Sequence, residues 1–67
     1  MRQDYAKAFK WSQKAANQDQ ADAQFLLGLM YHKGDGVKKN VATAKEYFGK
    51  SCDNGLKKGC DGYRMLN

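Results

Sequence analysis

Apolar residues recur along this chain at intervals of three and four, and the stretches between them are broken by Asn, Asp and Gly. That period marks helices buried on one side. The first run carries Tyr5, Ala8, Trp11 and Ala15 as its inner face, with Phe9 and Ala16 widening the stripe, while Lys7, Lys10 and Lys14 fall on the opposite, solvent-facing side. Asp4 is placed to cap this helix by accepting from first-turn amides, and the helix should extend to about Asn17. After a break at Asn17-Gln18-Asp19-Gln20, a second helix is expected from about Ala21 to Lys33, ended by Gly34-Asp35-Gly36, whose glycines take up positive φ. Asn40 is the expected cap of a third helix running to about Asp53, with Val41, Ala44, Tyr47, Phe48 and either Ser51 or Cys52 facing inward. Asn54-Gly55 then forms an αL-compatible turn. A fourth helix, about Lys57 to Leu66, is the weakest of the four, because Gly59 and Gly62 each cost it up to about 1 kcal/mol relative to Ala. With no proline and few β-branched residues, the whole chain reads as all-α.

The second helix is apolar nearly all round. Ala23, Leu26, Leu27, Met30 and Tyr31 make one stripe, while Phe25 and Leu29 lie four apart on another side. The sequence also repeats. A shift of 36 residues lays Tyr5-Ala6-Lys7-Ala8 on Val41-Ala42-Thr43-Ala44, Trp11 on Tyr47, Lys14 on Lys50 and Ala16 on Cys52. A helix pair of this period cannot bury its apolar face alone, so neighbouring pairs stack into a continuous core.

The order Ala21-Asp22-Ala23-Gln24-Phe25-Leu26-Leu27-Gly28-Leu29-Met30-Tyr31, then Gly34-Asp35-Gly36-Val37, then Ala44, Tyr47, Phe48, Lys50 and Gly55, resembles the Sel1-like repeats, a bacterial and eukaryotic relative of the tetratricopeptide repeat. The resemblance implies an all-α fold of antiparallel helix pairs stacked as a short right-handed α-solenoid of about four helices. It also implies a single domain over residues 1–67, with one complete repeat at about 21–56 flanked by half repeats at 4–20 and 57–67. Its structural positions fall on Ala23, Leu27, Gly28, Tyr31, Gly34, Gly36, Ala44 and Tyr47. Gly28 would let a neighbouring helix approach closely, Tyr31 would fill space between stacked helices, and Gly34 and Gly36 would shape the returning loop. In the resembled fold the first helix of each pair lines a concave groove, and Asp22, Phe25, Leu29, His32 and Lys33 match the positions that point into it. Asp61, Gly62 and Arg64 depart from the pattern, so Asp61 to Asn67 is either a polar cap or a frayed end. The second half, with Lys50-Ser51-Cys52 and Gly59-Cys60, is similar to the cysteine-rich branch of the family, in which such a pair bridges the two helices of a repeat. Read from the residues alone, Cys52 and Cys60 fit either a disulfide across a helix-turn-helix corner or two buried thiols.

At 67 residues the chain forms one unit with a small core, so marginal stability is the starting expectation. A net charge of +5 favours acidic partners, but the lysines are scattered and only Arg2 and Arg64 offer bidentate contacts, which disfavours nucleic acid. No apolar run is long enough to span a bilayer, so no membrane partner is expected. Met1-Arg2-Gln3-Asp4-Tyr5 lacks the apolar core of a secretory signal. A cytoplasmic protein is therefore expected, or a periplasmic or secreted one if the sequence is a piece of a longer cysteine-rich protein. His32 with Cys52 and Cys60 makes at most three ligands from distant segments, so neither metal nor cofactor is expected. Ser12 and Ser51 sit in no nucleophile motif, and Gly34-Asp35-Gly36 lacks the Lys-Ser/Thr of a phosphate loop, so no catalytic residue is assigned.

These features point to a protein-interaction module, an adaptor whose groove takes a partner peptide or helix on Phe25 and Leu29 within a charged rim. A homodimer supplying the missing neighbouring repeats is the variant of this reading. A β-lactam-binding or β-lactamase-like protein of the cysteine-rich branch and a basic nucleic-acid binder are the alternatives.

Overall fold

The computed structural model describes residues 5–66, and of Tyr5 and Ala6 the backbone only. Four helices follow in order: α1 (Tyr5–Ala16), α2 (Ala21–Lys33), α3 (Val41–Asp53) and α4 (Lys57–Met65). They match the four sequence-predicted helices to within one residue at each described end. The expected Asp4 cap lies outside the described residues. Each helix packs on its neighbour in sequence, α1 on α2, α2 on α3 and α3 on α4, with a smaller direct contact between α2 and α4. The result is a solenoid of stacked helices, the arrangement of a repeat chain in which each helix pair packs on the next.

The connections obey the punctuation. Gly34 ends α2 at φ 76°, its amide donating to the Met30 carbonyl at 2.7 Å, and Gly36 repeats that φ two residues on. The Asn40 amide then donates to the Tyr31 carbonyl at 3.0 Å, holding the loop against the helix it leaves. The Asn40 side chain accepts from the Thr43 amide at 3.1 Å and so starts α3 as an N-cap. Between α3 and α4, Gly55 at φ 95° turns the chain, and the Leu56 amide donates back to the Ser51 carbonyl at 3.0 Å. Asp19 adopts φ 60° at the corresponding turn after α1. Asp is among the few residues with a Cβ that visit this region.

The core runs between the helices. Ala16, Leu27 and Met30 are buried together, with Ala8, Phe9, Ala23, Val37 and Tyr47 packed against them. Phe48, only 2% exposed, fills the layer between α2 and α4. An added Cβ at Gly28 would sit 2.6 Å from its ring, and one at Gly62 would sit 2.9 Å from it. Gly28 thus does permit a close approach, and the occupant is an aromatic ring. Gly62 does the same from the other side, so α4 stays helical through Met65 and docks as far as Gly62 instead of fraying at Asp61. Gly59 belongs to the same design, since a side chain there would collide with Ser51. Helix propensity is given up at both positions for contact with α3.

Three sequence expectations fail in their register. Trp11 was expected inside and is 70% exposed, because the inward face of α1 is Ala8, Phe9, Ser12 and Ala16, a stripe rotated about one residue from the expected one. Val41 is exposed at the first position of α3. Leu26 belongs to the apolar stripe by composition, yet it is 43% exposed, while polar Gln24 is 2% exposed. α2 is covered from two sides, so polarity alone does not fix which residues face out.

Candidate functional site

The face of α2 assigned to partner binding is built from five residues. Asp22 and Lys33 are exposed at its two ends, and Phe25, Leu29 and His32 between them are half-buried. Spacings of three and four place all five along one side of the helix. Phe25 is partly engaged already, its ring tilted on that of Phe48 with centroids 5.4 Å apart. That contact fixes the Phe25 ring from behind and leaves its outer surface, with Leu29, as an apolar strip bounded by opposite charges.

α4 begins 36 residues after α2 and touches it directly. Lys58, Asp61 and Met65 occupy in α4 the register positions of Asp22, Phe25 and Leu29. Met65 is 74% exposed, and Asp61 carries a loose surface pair with Arg64 at 4.0 Å. On α2 the apolar pair Phe25 and Leu29 is edged by both signs of charge, Asp22 and Lys33. The five residues of that face bring no nucleophile together with a base.

The structural positions behind this surface are packed as follows. Leu27 and Ala44 are fully buried, and Ala23 and Tyr47 lie against the core. Tyr31 joins three helices, edge-on to Phe9 of α1 at 5.8 Å and stacked on Tyr47 of α3 at 5.8 Å with planes 11° apart. Lys50 sets its ammonium 5.4 Å from the centre of the Tyr47 ring, and Lys45 lies 5.0 Å from that of Tyr63.

Gln24 is the buried residue that sequence reading missed. Its Nε2 donates to the Ala16 carbonyl at 3.3 Å, and its Oε1 accepts from the Asn54 Nδ2 at 2.8 Å. One amide therefore ties the C-terminal ends of α1 and α3 to α2, which fixes the tilt of the helix that carries the strip. A polar residue in the middle of an otherwise apolar helix was the available signal.

Cys52 and Cys60 are joined in a disulfide, with Cα atoms 4.5 Å apart, and close the corner between α3 and α4. The open choice between a bridge and two thiols thus falls to the bridge. Among the described residues no group of three or more His, Cys, Asp or Glu could hold a metal ion. No helix among them is long and apolar enough to cross a membrane.

The chain is similar to known proteins along most of its length. Over 51 residues, 76% of this chain, it is 37% identical to the Chitin synthase regulator SKT5 of Saccharomyces cerevisiae, of which it spans 7%. Over 63 residues, 90% of this chain, it is 33% identical to the Activator of C kinase protein 1 of the same yeast, of which it spans 10%. It therefore corresponds to a small part of each of these relatives. A crystal structure of a Sel1 repeat protein from Oxalobacter formigenes superimposes with a TM-score of 0.93 at 35% identity, covering 98% of this chain and 27% of that one. The sequence profile of the Sel1 repeat matches residues 1–20 and 21–56, and the chain belongs to the Sel1 repeat family.

Proposed function

We propose that this chain is a protein-interaction module, an adaptor without catalytic activity that seats a partner's peptide or helix along the strip of Asp22, Phe25, Leu29, His32 and Lys33. The observation that carries the reading is the partly exposed apolar pair Phe25 and Leu29, with the Phe25 ring backed by that of Phe48 and the pair rimmed by Asp22 and Lys33. A few preorganised apolar anchors with a polar rim supply most of the affinity of such interfaces. The yeast relatives are by name a regulator and an activator, which fits action through other proteins. In this reading residues 1–67 act as one domain, with a complete repeat at about 21–56 between half repeats at 4–20 and 57–67. The net charge of +5 favours an acidic partner.

The test compares proteins retained from a host lysate by the immobilised chain, by Leu29→Asp and by Lys38→Glu, a distant loop control, each checked by circular dichroism. A partner kept by the wild type and the control but lost by Leu29→Asp supports the strip. Identical retained sets for all three folded proteins would refute it.

A further inference from the structure

Cys52 and Cys60 stand 36 residues after Ala16 and Gln24, and α3 and α4 begin 36 residues after α1 and α2. The same pair of register positions therefore ties both joints. At the α1–α2 joint the tie is a hydrogen bond, Gln24 Nε2 donating to the Ala16 carbonyl, and Leu27 and Met30 of α2 cluster with Ala16 beside it. At the α3–α4 joint the tie is a disulfide, and the buried residues that α4 brings are Gly59 and Gly62. Gly62 lies on the Phe48 ring and Gly59 on Ser51, so the buried positions of α4 cover those groups while contributing no side chain. Tyr63 adds a contact at the rim, its ring lying against Gly49 and beneath the Lys45 ammonium.

The disulfide is also within reach. Both cysteines are half-buried, and a cleft of 320 Å³ lined by Gly49, Cys52, Asp53 and Tyr63 opens beside Cys52. Cys60 lies near the N-terminus of α4, whose first turn holds Lys57 and Lys58 and no acidic residue. That end of a helix favours a departing thiolate.

From this arrangement we propose that Cys52 and Cys60 form a redox latch. As a disulfide the pair holds α4 over Phe48, and reduction by a dithiol opens the α3–α4 joint while α1, α2 and α3 stay folded. A thiolate of the dithiol attacks Cys52 Sγ, so that a new S–S bond forms as the Cys52–Cys60 bond breaks and Cys60 leaves as a thiolate. The second sulfur of the reductant, also as a thiolate, then attacks the reductant sulfur of that new bond and releases Cys52. Two electrons pass to the cysteine pair, the reductant ends as a disulfide, and the cysteines take up the two protons that the dithiol gave to solvent. The α1–α2 joint has no reducible tie, so the response is confined to one side of Phe48. With α4 displaced, the ring loses the cover of Gly62, and Phe25, tilted on the same ring, loses a fixed backing. The latch operates whether or not the strip on α2 takes a partner.

The test places the chain in graded mixtures of reduced and oxidised dithiothreitol without denaturant, with free thiols counted by iodoacetamide labelling and mass spectrometry. As thiols appear, amide protection over residues 57–65 should fall at least about ten-fold, and that of α2 by less than about three-fold. Fluorescence of anilinonaphthalene sulfonate, a probe of exposed apolar surface, should rise about three-fold, and both changes should reverse on reoxidation. Cys52→Ala with Cys60→Gln transfers the hydrogen-bonded tie of the α1–α2 joint and should make α4 indifferent to dithiothreitol. Reduction that leaves protection over residues 57–65 unchanged would overturn the latch, because the bond would then hold nothing. A disulfide that resists the reagent until the chain is denatured would do the same, as would loss of helix along the whole chain once the bond is cut. A response of the Cys52→Ala, Cys60→Gln variant as large as that of the wild type would place the effect outside the pair and also overturn it.

Discussion

Gly28 of α2 lies against the ring of Phe48 of α3 so closely that a Cβ at position 28 would stand 2.6 Å from two ring carbons. The ring cannot step aside, because Gly62 bounds it on the other side and Phe25 is tilted against it. Gly28→Ala gains up to about 1 kcal/mol in helix propensity and loses about 1 to 3 kcal/mol to overpacking. The net expectation is destabilisation by about 1 to 2 kcal/mol in urea unfolding. Phe48→Leu should be costly alone, yet combined with Gly28→Ala it should cost less than the two changes summed, since the smaller side chain makes room for the methyl. Strict additivity in that cycle would mean that the two residues are not coupled.

Gln24 is the second point at which helices are held together. Gln24→Leu keeps the bulk and removes both hydrogen bonds, to the Ala16 carbonyl and from the Asn54 side chain. The Ala16 carbonyl still accepts from the Asp19 amide at 3.0 Å, so no buried acceptor is orphaned. The loss should therefore stay near about 1 to 2 kcal/mol. Asn54→Ala, at an exposed position, should cost less, and it should cost nothing further in a Gln24→Leu background. A full additional loss there would show that Asn54 stabilises the chain through some other contact.

These two sites show what the sequence could and could not tell. The four helices, the Asn40 cap and the glycine turns at Gly34 and Gly55 were legible because each rests on local chemistry, a side-chain acceptor or a positive φ. The repeat resemblance supplied the stacking. What stayed hidden was rotational register. Moving a stripe by one residue on α1 turned Trp11 out and Ser12 in, a change that composition hardly registers. Gln24 stayed hidden because polarity predicts exposure unless partners are known, and its partners lie 8 and 30 residues away. Gly59 and Gly62 looked like breakers of α4 until their contacts with Ser51 and Phe48 showed why a side chain is excluded. That the residues proposed for the strip share one side of α2 could be read from their spacing, but the packing of Phe25 on Phe48 could not, since it joins separate helices.

The disulfide should hold α4 in place. α4 has nine residues, its buried positions are Gly59 and Gly62, and it ends without support from a following helix among the described residues. So short a helix is marginal alone. Replacing both cysteines by serine should lower stability by up to about 2 to 3 kcal/mol. In hydrogen exchange, amide protection should fall first over residues 57–65, while α2 and α3 keep theirs. Uniform loss of protection along the chain would instead mean that α4 and the rest unfold as one unit.

Asp19 and Gly55 stand 36 residues apart, and both take left-handed backbone angles, φ 60° and φ 95°, at the turn that ends their respective helices. Gly55 does so without a steric penalty, because an L-residue pays for αL through its Cβ and glycine has none. Asp19 carries that cost. Its side chain is exposed and enters no described ion pair, so little holds the carboxylate in favour at this position. Asp19→Gly should leave the fold intact and stabilise the chain by up to about 1 kcal/mol. Part of the relief is offset by the greater freedom glycine gives the unfolded chain. The converse change, Gly55→Ala, meets no steric neighbour, since nothing lies within 4 Å of a Cβ there, and yet it should destabilise by about 1 kcal/mol or more on backbone grounds alone. Thermal melts of the two variants should therefore move in opposite directions, Asp19→Gly upward and Gly55→Ala downward. A downward shift for Asp19→Gly would mean that the Asp19 side chain stabilises its turn by more than its φ costs, and would identify that turn as held by the carboxylate.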